Sequence, residues 1–228
     1  DFIGNVLMAW SKASQGNKED SFKFLEKAPR QIQKIQNIFL QCYFDDPQTT
    51  NSFEKVINDK DYNFSRYNFF LINYFLFKNE VSNAKKIIEN SRKKYSSNLL
   101  IKETENFFLN KKYEKIKGFF NCQNPKDVLA EFFYVIANLY SSERDYKSSN
   151  FYLKISLLLN SKFLPNEALL AENYFFQKKY QDSKNTYKSV KSIGPIYSWY
   201  ASRNVAAILL EEKGKEHSAN ILQKEFSL

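Results

Sequence analysis

The stretch EFFYVIANLYSSERDYKSSNFYLKI, residues 131–155, decides the fold. Its apolar residues Phe132, Phe133, Ile136, Leu139 and Tyr140 recur at three- and four-residue steps, the spacing of one helix face; a half-buried strand would alternate instead. The pattern breaks over the polar run 141–145 and resumes at Tyr146, so the stretch reads as two helices and a turn. Each helix carries one small residue at a telling place, Ala137 in the first and Ser149 in the second, twelve positions apart.

Outward from that stretch the same pair recurs along the chain. The second-helix series runs Ser21, Ser52, Ala84, Ile116, Ser149, Ser183 and Ala219, with steps of 31, 32, 32, 33, 34 and 36. Twelve positions upstream stand Ala9, Leu40, Ile72, Thr104, Ala137, Ala171 and Ala207, inside the preceding helix where two helices would cross closely. A period of this length points to stacked helical hairpins, because one hairpin cannot bury its own apolar face without neighbours.

Composition agrees. Apolar residues make up 43% of the 228, enough for a continuous core, while Gly and Pro number only five each, too few for an all-β chain of many turns. The prolines fall at boundaries: Pro29 and Pro47 after or between helices, and Pro125, Pro165 and Pro195 where a helix begins. Proline is tolerated there, since a first-turn amide has no helical partner to lose. The hairpins are expected over about 1–29, 30–60, 64–95, 97–122, 125–160, 165–193 and 195–228 as a single domain. In the fourth, the second helix is expected over 112–121 with Gly118 inside it, at about 1 kcal/mol relative to Ala, and with local fraying.

The loops NKKY, SERDY and QKKY recur before second helices and end in Tyr113, Tyr146 and Tyr180, three residues before the small mark. These features resemble the tetratricopeptide repeat family. The fifth hairpin matches its pattern through Ala137, Tyr140, Tyr146, Ser149 and Leu153, and the sixth through Ala171, Tyr174, Tyr180, Ser183 and Tyr187. The third matches in part through Phe75, Ala84 and Ile88, and the seventh through Ala207, Gly214 and Ala219; the fourth departs most, with Thr104 and Ile116 at small-residue places. The resemblance implies an all-α, right-handed α-solenoid of about seven antiparallel hairpins acting as a noncatalytic scaffold for a peptide or protein partner.

No catalytic, cofactor or metal site is expected. The one histidine, His217, stands among Lys215, Glu216 and Ser218 on a terminal helix, and no Gly-rich phosphate loop, GxSxG elbow or HExxH helix occurs. The pairs Asp45–Asp46 and Glu211–Glu212 fall at a turn and a helix end, where solvated caps explain them. Cys42 and Cys122 lie in different hairpins with no CxxC spacing, so buried thiols are expected rather than a zinc site or a disulfide framework. The charge of +9 could draw nucleic acid, but the lysine clusters at 91–95, 111–117 and 178–184 fall at turns and second helices, the outer face of such a stack. Nucleic acid is therefore ranked below a protein partner, with an RNA-binding helical repeat and a scaffold domain of a larger cell-envelope enzyme as the alternatives.

The longest apolar stretch, 69–77, is far short of the ~20 residues that cross a bilayer. A soluble chain, cytoplasmic or periplasmic, is expected. Asp1 in first place, with no basic and apolar leader, suggests a processed piece of a longer protein.

The candidate binding surface is the inner face of the first helices, and the small-residue register gives the positions that point inward. These include Lys34, Asn37 and Gln41 in the second hairpin and Arg66, Phe69 and Asn73 in the third. Further on come Tyr134 and Asn138 in the fifth, then Glu172 and Phe175 in the sixth. A carboxamide both donates to and accepts from a peptide backbone, so Asn37, Asn73 and Asn138 suit an extended segment, with Phe69 and Tyr134 as apolar contacts. Of the clamp by which some family members grip a C-terminal carboxylate, only Lys34, Asn37 and Arg66 match fragments, and the clamp is not assigned. At the other end, Ile221, Leu222, Phe226 and Leu228 leave an apolar terminus that suggests self-association or packing on another domain.

Overall fold

Seven left-handed residues punctuate the chain at near-repeat intervals: Gly16, Asp45, Asn79, Lys111, Arg144, Lys178 and Gly214, each with φ between 52° and 87°. The computed structural model describes residues 1–59, 61, 64–95 and 97–226, except for the side chains of 225 and 226. Each of the seven residues ends the first helix of a hairpin. Around Lys178, for example, its own N–H donates to the Phe175 carbonyl at 2.8 Å and the Lys179 N–H to the Tyr174 carbonyl at 2.9 Å. These paired bonds satisfy carbonyls that a helix end leaves open. The same pair of bonds recurs at Gly16, Asp45, Asn79, Lys111 and Arg144.

Among the described residues the chain forms fourteen α-helices and no strand. They are α1 (Phe2–Ser14), α2 (Lys18–Leu25), α3 (Arg30–Tyr43), α4 (Thr49–Ile57), α5 (Tyr67–Phe77), α6 (Val81–Lys94) and α7 (Leu99–Leu109). Then come α8 (Tyr113–Lys117), α9 (Pro125–Ser142), α10 (Tyr146–Leu159), α11 (Pro165–Phe176), α12 (Tyr180–Lys191), α13 (Pro195–Lys213) and α14 (Lys215–Phe226). The fold is an all-α array of helical hairpins. Two compact units divide it, Asp1–Leu129 and Ala130–Leu228.

Within each unit, helices pack on their neighbours in chain order. The small-residue register explains how closely they approach. Ala9, Leu40, Ile72, Thr104, Ala137 and Ala171 are all at most 1% exposed, as are Ser21, Ala84, Ile116, Ser149 and Ser183. Ser52 is half-buried, and in the last hairpin the register slips by one: Ala206 is buried while Ala207 and Ala219 are exposed.

In the second unit, Ala137 of α9, Leu153 of α10 and Leu169 and Leu170 of α11 form one apolar cluster, flanked by Tyr134, Tyr152, Leu157 and Tyr174. Buried polar groups are paired with care. Asn173 donates to Ser149 Oγ at 2.7 Å and to Asn150 Oδ1 at 2.9 Å and accepts from Ser141 Oγ at 2.7 Å, so one carboxamide ties α9, α10 and α11. Such a network rewards a single register, because any slip would leave buried polar groups unpaired.

The first unit departs from the expectation in two places. The second helix of the fourth hairpin ends at Lys117, and Gly118 caps it rather than sitting inside it. The cysteines, expected as separate thiols, are joined: Cys42 on α3 and Cys122 after α8 form a disulfide with Cα atoms 5.9 Å apart. Phe119 and Phe120 follow α8 into the core, where the Phe120 ring centroid lies 4.6 Å from Phe70 and 5.4 Å from Phe39. That apolar anchoring is what brings Cys122 back to α3 across 80 residues of chain.

Candidate functional site

Helix α3 brings three of the expected positions together, all half-buried. Lys34, Asn37 and Gln41 repeat at three- and four-residue steps, so they share one face, while Ile35, Ile38 and Phe39 turn into the core. Lys34 and Asn37 line a cleft of about 750 Å³ together with Pro29, Arg30, Gln31, Gln33, Asp59 and Asp61. The Lys34 ammonium pairs with the Asp59 carboxylate and stands 5.5 Å from the centroid of the Phe64 ring. The cleft is thus polar and carries both signs of charge.

Acceptors along this face of α3, two of them in the cleft lining, are the distinctive feature. Gln31 Oε1, Asn37 Oδ1 and Gln41 Oε1 are all buried as atoms and have no hydrogen-bond partner among the described residues. An unmet buried acceptor costs about 1–3 kcal/mol. Sequence periodicity found Lys34, Asn37 and Gln41 but not Arg30, Gln31, Gln33, Asp59 or Asp61. The first three of those sit on the same helix one turn or less away, and the two aspartates come from the chain beyond α4.

The remaining expected residues of the first unit sit otherwise. The Arg66 guanidinium lies over the ring of its neighbour Tyr67, 5.4 Å from the centroid. Phe69 and Asn73, on α5, are buried at 1% and 2% exposure. Asn73 donates to the Ile116 carbonyl of α8 at 3.0 Å. Asn73 is therefore covered by the chain's own later segment. The signal was present in YNFFLINYFLF, residues 67–77: a helix apolar on all sides is one that is covered on all sides.

In the second unit, Tyr134 packs edge-on against Phe163 at 5.7 Å, and Asn138, one turn along α9, is exposed. Phe175 meets Phe176 and Tyr180 at 5.6 and 5.9 Å. Glu172 accepts a hydrogen bond from the Tyr200 hydroxyl of α13. Burial raises the Glu172 carboxyl above its ordinary range, opposed by that hydrogen bond, and burial beside Glu172 raises the phenols of Tyr200 and Tyr187. Glu172 thus serves the contact between the sixth and seventh hairpins.

His217 is exposed on α14, and among the described residues no group of three or more His, Cys, Asp or Glu side chains gathers as a metal-binding cluster. No described helix is long and apolar enough to cross a membrane. At the C-terminal end Ile221 and Leu222 are half-buried, while the Phe226 side chain and Leu228 lie outside the described residues.

No family model matches the chain. No curated protein matches it. Among solved structures it is similar to a kinesin light chain with nearly identical TPR-like repeats from Podosopora anserina, at 11% identity and a TM-score of 0.37, over 98% of this chain and 92% of that one. The repeat fold stated above rests on the chain's own seven turns and on its buried small-residue series.

Proposed function

We propose that the chain is a noncatalytic protein-interaction scaffold that holds a polar, extended peptide segment along the inner face of α3. The observation that carries this reading is the set of unmet acceptors, Gln31 Oε1, Asn37 Oδ1 and Gln41 Oε1, beside a cleft of about 750 Å³. Peptide N–H groups fit them: each supplies one donor, and an extended chain presents donors at regular intervals. The ion pair of Lys34 and Asp59 and the charged side chains of Arg30 and Asp61 then select side chains of either charge at the cleft's rim.

The test is peptide selection from an unbiased displayed library against the intact chain. Enriched peptides are expected to lose at least about tenfold in affinity against Asn37→Ala, the effect of one lost hydrogen bond in a desolvated site. Failure to enrich any peptide, with retention of single-stranded RNA in a salt-sensitive manner, would instead favour the charged outer face and overturn the reading.

A further inference from the structure

We propose that the Cys42–Cys122 disulfide is a redox latch that holds the chain's own 116–123 segment over α5 and against α3. In an array where each hairpin touches its neighbours, nothing in the architecture calls for a covalent link between the second hairpin and the fourth. Here that link exists, with Cα atoms 5.9 Å apart, well inside the span a disulfide bridges. It closes a loop of 80 residues that contains the whole of the third hairpin.

What the latch covers is specific. The 116–123 segment supplies the carbonyl that Asn73 bonds, at Ile116, and the Phe120 ring that fills the space between Phe39 and Phe70. Beneath it lies Asn73, a residue of α5 that the repeat register expects on the inner face. A dithiol reductant has a route in. A cleft of about 180 Å³ is lined by both cysteines with Asp45, Tyr74, Phe77 and Lys78, and Cys122 is the more exposed of the two, at 8% against 2%.

The exchange balances. One thiolate of the dithiol attacks Cys122 Sγ, the Cys42–Cys122 bond breaks, and Cys42 leaves as a thiolate that takes up a proton. The second thiolate of the dithiol then displaces Cys122, closing the reductant into its own disulfide. Two electrons and two protons have passed to the protein, and a disulfide oxidant reverses every step. After reduction the covalent link no longer adds to the packing of Phe119 and Phe120 and the Asn73 bond, so the segment's open form gains population.

The latch is independent of peptide binding at α3, and its test reads backbone exchange rather than affinity. The intact chain is equilibrated with glutathione disulfide or with a phosphine reductant, and thiols are trapped by alkylation. Hydrogen exchange is then compared with the Cys42→Ala/Cys122→Ala variant as a bond-free reference. The expected result is no free thiol in the oxidised form and two in the reduced form. Exchange over 116–123 and 67–77 should then be faster by on the order of tenfold or more in the reduced chain and the variant, with 18–25 unchanged. Two free thiols after oxidation, or equal exchange in the oxidised and reduced chain, would overturn the proposal; the reduced parent chain serves if the variant does not fold.

Discussion

The Trp10 indole N–H donates to Gln36 Oε1 at 2.7 Å, joining α1 of the first hairpin to α3 of the second through a bond that neither residue could make elsewhere. Both side chains are buried, at 1% and 2% exposure. The bond therefore specifies how the first two hairpins stack.

Replacing Gln36 by Leu keeps the volume but leaves the indole N–H with no acceptor in an apolar setting. The expected cost is about 1–3 kcal/mol, the penalty of an unmet buried donor. Trp10→Phe combined with Gln36→Leu should cost less than the sum of the single changes, since the donor is gone as well. Urea unfolding of the four proteins checks this; additive losses would mean that the bond is not what couples the hairpins.

The turns give a prediction of opposite sign. Lys111, Arg144 and Lys178 hold φ of 55°, 62° and 59°, a conformation that costs an ordinary residue about 1–2 kcal/mol, and all three are exposed. Glycine removes that cost but loses about 0.5–1 kcal/mol through greater freedom in the unfolded chain. Lys178→Gly should therefore be neutral to stabilising by up to about 1 kcal/mol, a rise of at most a few degrees in Tm. Lys178→Val should lower Tm, and thermal unfolding followed by circular dichroism distinguishes the two.

Glu172 predicts a pH dependence. Its carboxyl is raised above the ordinary range by burial, so the folded state binds a proton more readily than the unfolded state does. The sign follows: this group favours folding at acid pH, and the advantage is lost as pH climbs from the ordinary glutamate range through the folded value. Glu172→Gln keeps an acceptor for the Tyr200 hydroxyl without a charge to bury. The variant should be more stable than the parent at pH 7 and no more stable near pH 4. Asp145 pulls the other way: its bonds to Ser148 hold its carboxyl below the usual range, so its contribution is present at neutral pH and fades as pH falls through the acid range. Denaturant midpoints measured from pH 2 to 8 read both signs, and a Glu172→Gln advantage that did not change with pH would refute the burial argument.

Much of the fold was legible because its determinants are local. The alternation of three- and four-residue steps gives the helices, and proline and the recurring loop residues give the ends. The two small-residue series mark where helices cross, and they succeed even in the fourth hairpin, where Thr104 and Ile116 depart from the family pattern yet are buried at 1% or less. The register weakens at Ser52, which is half-buried, and slips in the last hairpin, where Ala206 rather than Ala207 is buried.

Access along the expected inner face was not legible. Lys34, Asn37 and Gln41 share one half-buried face of α3, whereas Phe69 is buried and Asn73 is covered by a segment more than forty residues later in the chain. No local spacing encodes that long-range contact. The disulfide was hidden for the same reason: Cys42 and Cys122 share no motif, and only the anchoring of Phe120 between Phe39 and Phe70 brings them together.

The groove on α3 is most directly tested by photocrosslinking in the protein's native extract, with a benzoylphenylalanine side chain in place of Gln33 beside the cleft or in place of Phe151 on exposed α10. The account predicts one discrete crosslinked polypeptide from position 33, lost when Asn37→Ala is added, and none from position 151. Equal crosslinking from both positions, or crosslinks at 33 that ignore Asn37→Ala, would contradict it.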